Sequence, residues 1–296
     1  MPLKPVSELF SSARAGGYAL GYFESWNLES LQGVIDAAEL TRSPIIIGFS
    51  GEFLTGTGRL SEERVEWYGA LGIAAASSTS VPCGFIFNEC RSDNYVRRAV
   101  LAGFNMVMLA DPEAPYEDYV QRIASLAQFT HIHGAALEAE IGELPDGSSG
   151  NINTNHSLLT DPELVAEFIR FTGIDLLSVS VGNIHILVNG QRELDLDRLS
   201  RIRTLVDIPL GLHGGTGIAA NSLREAIRLG VTKVNFGTYV KQSYLTAIRK
   251  ALGGNEVNPH KLLGMGGVED VLVAGRHAVR DAVLERIELL GCCGRA

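Results

Sequence analysis

The chain has 296 residues, a net charge of −9 and 46% hydrophobic residues. This apolar fraction supports a folded core, and the negative charge argues against a protein that binds the nucleic-acid backbone through clustered lysines and arginines. No signal-peptide pattern and no apolar run of membrane-span length is present, and the four cysteines suit neither a disulfide framework nor a Cys-x-x-Cys site. We therefore expect a cytoplasmic protein that binds neither nucleic acid nor a membrane, in which the Asn155-His-Ser157 sequon carries no glycan.

Short apolar runs alternate with amphipathic segments along the chain, which predicts parallel strands covered by helices. The predicted strands are 18–24, 44–50, 82–89, 105–111, 135–142, 175–182, 209–215 and 231–238. The predicted helices are 28–41, 61–76, 93–102, 116–128, 162–172, 196–206, 222–229 and 240–252. We predict one α/β domain, residues 1–296, folded as a single (β/α)8 TIM barrel. The alternative is an open doubly wound sheet, but no Gly-x-Gly-x-x-Gly turn follows the first strand.

Two further helical segments lie outside this repeat. Residues 6–15 are predicted to close the bottom of the barrel, and residues 267–290 to pack across it or against another subunit. Three glycines, Gly103, Gly173 and Gly230, stand where helix C-termini are expected. The one long irregular stretch is 143–160, and loops of that length in a compact barrel are usually functional or mobile.

Polar residues are concentrated at the predicted carboxyl ends of the strands, where barrel enzymes place their working groups. Among them, His185 and His213 come from different strands, and two imidazoles with one carboxylate form a common ligand set for a divalent metal. Glu89 is the best third ligand. The alternative is that each histidine is a hydrogen-bonded polar group of the core.

The motif His213-Gly-Gly-Thr-Gly217 is typical of an anion-binding turn. Its glycines allow backbone N–H groups to approach an anion, and Thr216 supplies a hydroxyl. The alternative is a tight turn that only joins a strand to its helix.

Several motifs together resemble one known family. They are Leu212-His-Gly-Gly-Thr-Gly-Ile218, Val181-Gly-Asn-Ile-His185, Leu137-Glu-Ala-Glu-Ile-Gly142, Lys233-Val-Asn235 and Glu285-Arg-Ile-Glu-Leu-Leu-Gly291. The chain resembles the class II, metal-dependent fructose-bisphosphate and tagatose-bisphosphate aldolases over nearly its whole length. The resemblance implies a barrel that uses a divalent metal, usually zinc, to polarise a ketose carbonyl and stabilise the enediolate formed when a carbon–carbon bond breaks. It also implies a homodimer or homotetramer.

The resemblance assigns roles to individual residues. His185 and His213 match metal ligands, and Glu140 matches a carboxylate near an alternative metal position. The remaining matched positions surround the substrate's phosphate and enediolate, with Ser50 as a phosphate contact on the second strand. The predicted substrate-binding residues are Ser50, Gly182, Gly214, Thr216, Asn235 and Thr238.

The third strand departs from the family pattern. The family reads His-Leu-Asp-His-Gly, whereas this chain reads Ile86-Phe-Asn-Glu-Cys90. Asn88 replaces the aspartate that assists proton transfer, and an amide cannot take or give a proton as a carboxylate does. Glu89 replaces a metal-binding histidine and can still bind a cation, so the predicted ligands suit zinc, manganese or iron.

Three further departures fall in the same pocket. Ile186 replaces the glycine after the strand-six histidine, and Glu24 replaces an asparagine of the first strand. The loop that carries the family's carbanion-forming base reads Leu144-Pro-Asp-Gly-Ser148, with Glu143 and Asp146 as its remaining carboxylates. The added negative charge favours a sugar-like substrate with one phosphate or none.

Three functions remain open from the sequence. The favoured one is a divergent metal-dependent aldolase or lyase that cleaves or forms a carbon–carbon bond in a ketose or ketose-phosphate-like substrate. Its predicted catalytic positions are Asn88, Glu24 and Asp146. The candidates for the group that moves protons are Glu24, Glu140 and Asp146. The alternatives are a metal-assisted isomerase or epimerase and a non-catalytic aldolase-like binding protein.

Overall fold

Eight parallel strands close into a barrel in a computed structural model that describes residues 3–149 and 158–296. Each strand pairs with the next, and the eighth returns to the first. The strands are β1 (Leu20–Ser25), β2 (Ile45–Ser50), β3 (Cys83–Cys90), β4 (Met106–Leu109), β5 (Ala136–Ile141), β6 (Leu176–Val179), β7 (Leu210–Leu212) and β8 (Val231–Phe236). The predicted (β/α)8 TIM barrel is therefore confirmed.

Helices follow the strands and cover the barrel. Within the described residues they are α1 (Val6–Gly16), α2 (Leu28–Thr41), α3 (Gly51–Thr55), α4 (Val65–Ser78), α5 (Asp93–Leu101), α6 (Tyr116–Ile132), α7 (Pro162–Thr172), α8 (Leu196–Leu205), α9 (Ala220–Arg228), α10 (Thr238–Leu252), α11 (Pro259–Leu262) and α12 (Val271–Leu290). Of the three predicted C-terminal glycines, Gly173 is the left-handed cap of α7. Gly103 and Gly230 also have positive φ, one residue beyond the caps of α5 and α9.

The structure differs from the predicted elements mainly at strand and helix ends. The short helix α3 was not predicted, and its start is fixed by Ser50, whose Oγ accepts a hydrogen bond from Phe53 N. β6 ends at Val179 rather than at residue 182. The chain then turns, because Gly182 has φ +97° and the Asn183 side chain accepts a hydrogen bond from Val181 N.

The two helices outside the repeat pack on the barrel of the same chain. Helix α1 lies at the amino end of β3, where Lys4 N bonds to Cys83 O and Val6 lies close to Gly84. Helix α12 packs against α2 and α10. Its Arg276 forms a two-pronged ion pair with Asp36 of α2, at 2.6 and 2.7 Å.

Residues 150–157 lie outside the described residues, and with them the sequon and the middle of the predicted long loop. Across the described ranges, every helix is too short or too polar to cross a membrane.

Candidate active site

The end of β3 places Glu89 at the centre of the site. The pairing of β3 with β4 shifts between Phe87 and Cys90, and Glu89 has φ 55°, a left-handed conformation that costs a non-glycine residue about 1 kcal/mol. Its Oε1 lies 2.7 Å from His213 Nδ1 and 3.4 Å from His185 Nε2. The three predicted metal ligands are therefore neighbours, and backbone strain at Glu89 accompanies their contact.

His213 lies between two carboxylates. Its Nδ1 contacts Glu89, and its Nε2 lies 2.9 Å from Oε1 of the fully buried Glu138. Burial lowers the pKa of His213, but the two carboxylates outweigh it and raise that pKa to about 10. Burial raises the pKa values of Glu89 and Glu138, yet their cationic neighbours outweigh it and lower each to about 2. The two carboxylates therefore favour the protonated form of the His213 imidazole.

A second buried cation supports this cluster from inside the barrel. Lys233 Nζ lies 2.7 Å from Glu138 Oε2 and donates to Asn235 Oδ1, also at 2.7 Å. Asn235 Nδ2 in turn donates to Asn88 Oδ1 at 3.5 Å. Asn88 and Asn235 thus belong to a buried polar network that runs from the barrel interior to the rim.

Glu138, which contacts His213, and Lys233, which pairs with Glu138, were not predicted as site residues. The sequence does carry a signal for Lys233. A lysine inside the apolar strand β8 is unusual, because lysines are almost never fully buried without a partner. Its partner on another strand could not be identified without the barrel's side-chain geometry.

Glu140 and His185 line an open cavity at the rim of the barrel, with a volume of about 530 Å³. Glu140 Oε1 is buried and has no hydrogen-bond partner. Burial, only partly offset by His213, raises the pKa of Glu140 to about 7. A carboxyl group with such a pKa exchanges protons readily near neutral pH.

The loop after β5 is attached to His185 through its backbone. Gly147 N donates to His185 O, and His185 N donates to Pro145 O, each at 2.9 Å. Asp146 lines the rim cavity and accepts hydrogen bonds from the Ser148 backbone and hydroxyl, which lower the pKa of its carboxyl. Asp146 is thus an ionised carboxylate beside the site.

Glu24 lies on the β8 side of the same rim. Its side chain is buried, and Oε1 accepts a hydrogen bond from Lys241 Nζ at 2.6 Å. Burial raises the pKa of Glu24, and Lys241 opposes this effect.

Several predicted substrate-binding residues already have structural partners. The Ser50 hydroxyl caps α3, and Thr216 Oγ1 accepts a hydrogen bond from Tyr239 N at the start of α10. A Cβ at Gly214 would lie 2.0 Å from Ile184 O, so the tight turn itself requires glycine there. Gly182 turns the chain after β6, and Thr238 begins α10. Their contacts with a substrate remain predictions.

Ile186 retains a backbone conformation that suits glycine. Its φ is 51°, where a β-branched side chain is strongly disfavoured, and its side chain lines the rim cavity. The fold therefore carries local strain at a position where the family resemblance places glycine.

Among the described residues, no three histidine, cysteine or acidic side chains are arranged as a metal-binding group. Glu89 Oε1 and His213 Nδ1 are 2.7 Å apart, whereas two ligand atoms of a tetrahedral zinc ion are separated by about 3.3 Å. The two side chains contact each other directly and would have to move apart slightly to admit an ion.

Comparison with known proteins identifies the family. The family model for class II fructose-bisphosphate aldolase matches residues 4–295. The chain belongs to the class II fructose-bisphosphate aldolase family. The resemblance noted in the sequence is therefore confirmed.

Individual relatives and solved structures cover 94% or more of the chain. Fructose-bisphosphate aldolase of Geobacillus stearothermophilus is 30% identical over 306 residues, covering 100% of this chain and 99% of the relative. Escherichia coli K12 YdjI, an uncharacterised protein, is 32% identical, covering 94% of each chain. The crystal structure of the E. coli K12 YdjI aldolase has a TM-score of 0.81 at 29% identity and covers 99% of each chain. A putative fructose-1,6-bisphosphate aldolase from Coccidioides immitis, at 24% identity, shares the fold with a TM-score of 0.82, over 98% of this chain and 97% of that one.

Membership of the class II aldolases supports an aldolase-type carbon–carbon lyase. This family generally depends on a divalent metal.

Proposed function

We propose that the protein is a metal-dependent aldolase that cleaves or forms a carbon–carbon bond in a ketose. The observation that carries the proposal is the convergence of Glu89 Oε1 on both His213 and His185. In this proposal Glu89, His185 and His213 would hold the divalent cation, with zinc favoured and manganese or iron as alternatives.

The chemistry of the donor set fits a divalent cation. Two imidazoles and a carboxylate are suitable ligands, and a metal-binding histidine usually bonds through its other ring nitrogen to a carboxylate, as His213 does with Glu138. The unpartnered oxygen of buried Glu140 indicates that positive charge is lacking at that point of the rim. A cation would supply that charge.

When bound, the cation would polarise the ketose carbonyl and stabilise the negative charge that develops as the bond breaks. We assign proton transfer to Glu140, because its carboxyl group lines the cavity and has a pKa of about 7. The Asn88 amide can hold a substrate hydroxyl through hydrogen bonds but cannot accept its proton. Asp146, ionised at the mouth of the cavity, is placed to orient substrate hydroxyls.

Carbon–hydrogen exchange and carbon–carbon bond formation test this function separately. We expect the protein, supplied with zinc or manganese, to exchange the hydroxymethyl protons of dihydroxyacetone for deuterium and to join it to glyceraldehyde. Proton NMR follows both reactions, and His185→Ala is the matched control without one ligand. Exchange without bond formation would favour the isomerase or epimerase function, and the absence of both would contradict an enzyme of this type.

We further propose a cytoplasmic homodimer or homotetramer acting on a small sugar-like molecule. A reducing compartment is supported by the free state of all four cysteines.

A further inference from the structure

The start of α10 is a place where a barrel enzyme would be expected to bind an anion. The N-terminus of a helix carries partial positive charge, and barrels frequently bind phosphate with the loops after their seventh and eighth strands. Here α10 has fifteen residues and begins at Thr238 without a side-chain cap. The glycine turn 214–217 adjoins it through the bond from Tyr239 N to Thr216 Oγ1.

A carboxylate of the protein already lies at this place. A Cβ at Gly237, the residue before α10, would lie 2.5 Å from Glu24 Oε2, so that the carboxylate is in contact with the backbone there. The other oxygen of Glu24 holds Lys241 Nζ at 2.6 Å. Glu24 is 8% exposed, and the Lys241 ammonium that it holds lies 4.0 Å from the ring centroid of Phe53, which lines the rim cavity. The one lysine of the first turn of α10 is thus neutralised by a buried neighbour.

Among the described residues that line the rim cavity, every arginine or lysine side chain is already paired with a carboxylate. Its lining residues include six carboxylates: Glu52, Glu89, Asp111, Glu140, Glu143 and Asp146. Arg91 is the one arginine or lysine among the described lining residues, and it is paired with Glu113 at 3.2 Å and Glu52 at 3.5 Å. Residues 150–157, outside the described part, contain neither lysine nor arginine in the sequence.

We propose that Glu24 determines substrate specificity by occupying the anion-binding position at the start of α10, so that the site selects a ketose without a phosphate at that end. This inference rests on the proposed aldolase function. The uncharged end of the substrate would carry hydroxyl groups, which can donate hydrogen bonds to the carboxylate where a phosphate would be repelled. Glu24 is in this role a binding residue and moves no proton.

Charge removal at Glu24 tests the proposal directly. Glu24→Gln keeps the side-chain shape, leaves Lys241 without its counter-ion and is expected to bind dihydroxyacetone phosphate and inorganic phosphate at least about tenfold more tightly than the wild type. Adding Lys241→Met to this variant is expected to abolish the gain. Isothermal titration calorimetry of the full chain, with chelator and again with added zinc, measures these affinities without requiring turnover.

Glu143→Gln is the matched control, because it removes a negative charge from the same cavity without releasing a cation. Tight phosphate binding by the wild type, or an equal gain in Glu24→Gln and Glu143→Gln, would overturn the proposal. Glu24→Asn is a second variant with the same expectation, should the glutamine variant unfold. Because binding is measured apart from catalysis, a protein that cleaves ketoses but binds phosphate tightly refutes only the specificity proposal. If Glu24→Gln gains phosphate affinity but the wild type neither exchanges the protons of dihydroxyacetone nor cleaves ketoses, only the lyase function is refuted.

Discussion

Replacement of Lys233 by methionine is expected to lower the free energy of unfolding by about 3–5 kcal/mol, because breaking a buried ion pair leaves an uncompensated charge. Lys233 and Glu138 are both fully buried, and their charged atoms lie 2.7 Å apart. Without the lysine, His213 is the one basic side chain still bonded to Glu138 among the described residues, and Asn235 Oδ1 loses its donor. Urea unfolding followed by circular dichroism measures the loss.

The loss of stability in Lys233→Met is expected to depend on pH. The lowered pKa of Glu138, about 2, stabilises the fold above the ordinary glutamate pKa, and this contribution disappears as the pH falls towards 2. The difference between wild type and Lys233→Met is therefore expected to be largest near pH 7 and smaller at pH 3. Lys241→Met, which breaks a partly exposed pair, is the control and is expected to lose less. Equal losses in the two variants would contradict the buried network.

Replacement of Glu140 by glutamine is expected to reduce kcat by about 10²–10⁴-fold, the usual contribution of a positioned acid–base group. The wild-type rate should rise with pH as Glu140 loses its proton, at about pH 7 or lower, since a cation bound nearby would lower its pKa. This rise of the rate with pH, the acidic limb of the pH profile, should be absent in the variant. Steady-state rates between pH 5 and 9 measure both effects.

Metal affinity separates proton transfer from metal binding in this variant. If Glu140 only moves protons, Glu140→Gln, which replaces one carboxyl oxygen by an NH2 group of similar size, is expected to keep both the cation and the fold. Glu143→Gln, at the same cavity, is expected to retain the acidic limb. A Glu140→Gln variant with an unchanged pH profile would show that another group accepts the proton.

The barrel could be predicted from the sequence because its signal is repeated. Each strand is a short run of apolar residues, and eight such runs separated by helical patterns leave few alternatives. Short elements and ends were less predictable. Helix α3 has five residues and begins immediately at the end of β2, and β7 has three residues, so neither is long enough to repeat its pattern twice.

The candidate site was only partly predictable. His185, His213 and Glu89 could be selected because they lie at or just beyond the carboxyl ends of strands, and the structure brings them together. The partners of those residues depend on contacts between strands far apart in sequence, such as Glu138 with Lys233. Sequence position alone also does not reveal that the Ser50 and Thr216 hydroxyls already bond to helix N-termini.

Direct titration of metal ions into the chelator-treated protein tests the central claim most closely. Calorimetry of the wild type with zinc and with manganese should give one ion per chain, and Glu89→Gln and His185→Ala should each weaken that binding by at least about tenfold. Glu52→Gln, at the edge of the same cavity, should bind as the wild type does. A wild type that takes up neither ion, or that binds one equally well after both ligand substitutions, would contradict a metal centre at Glu89, His185 and His213.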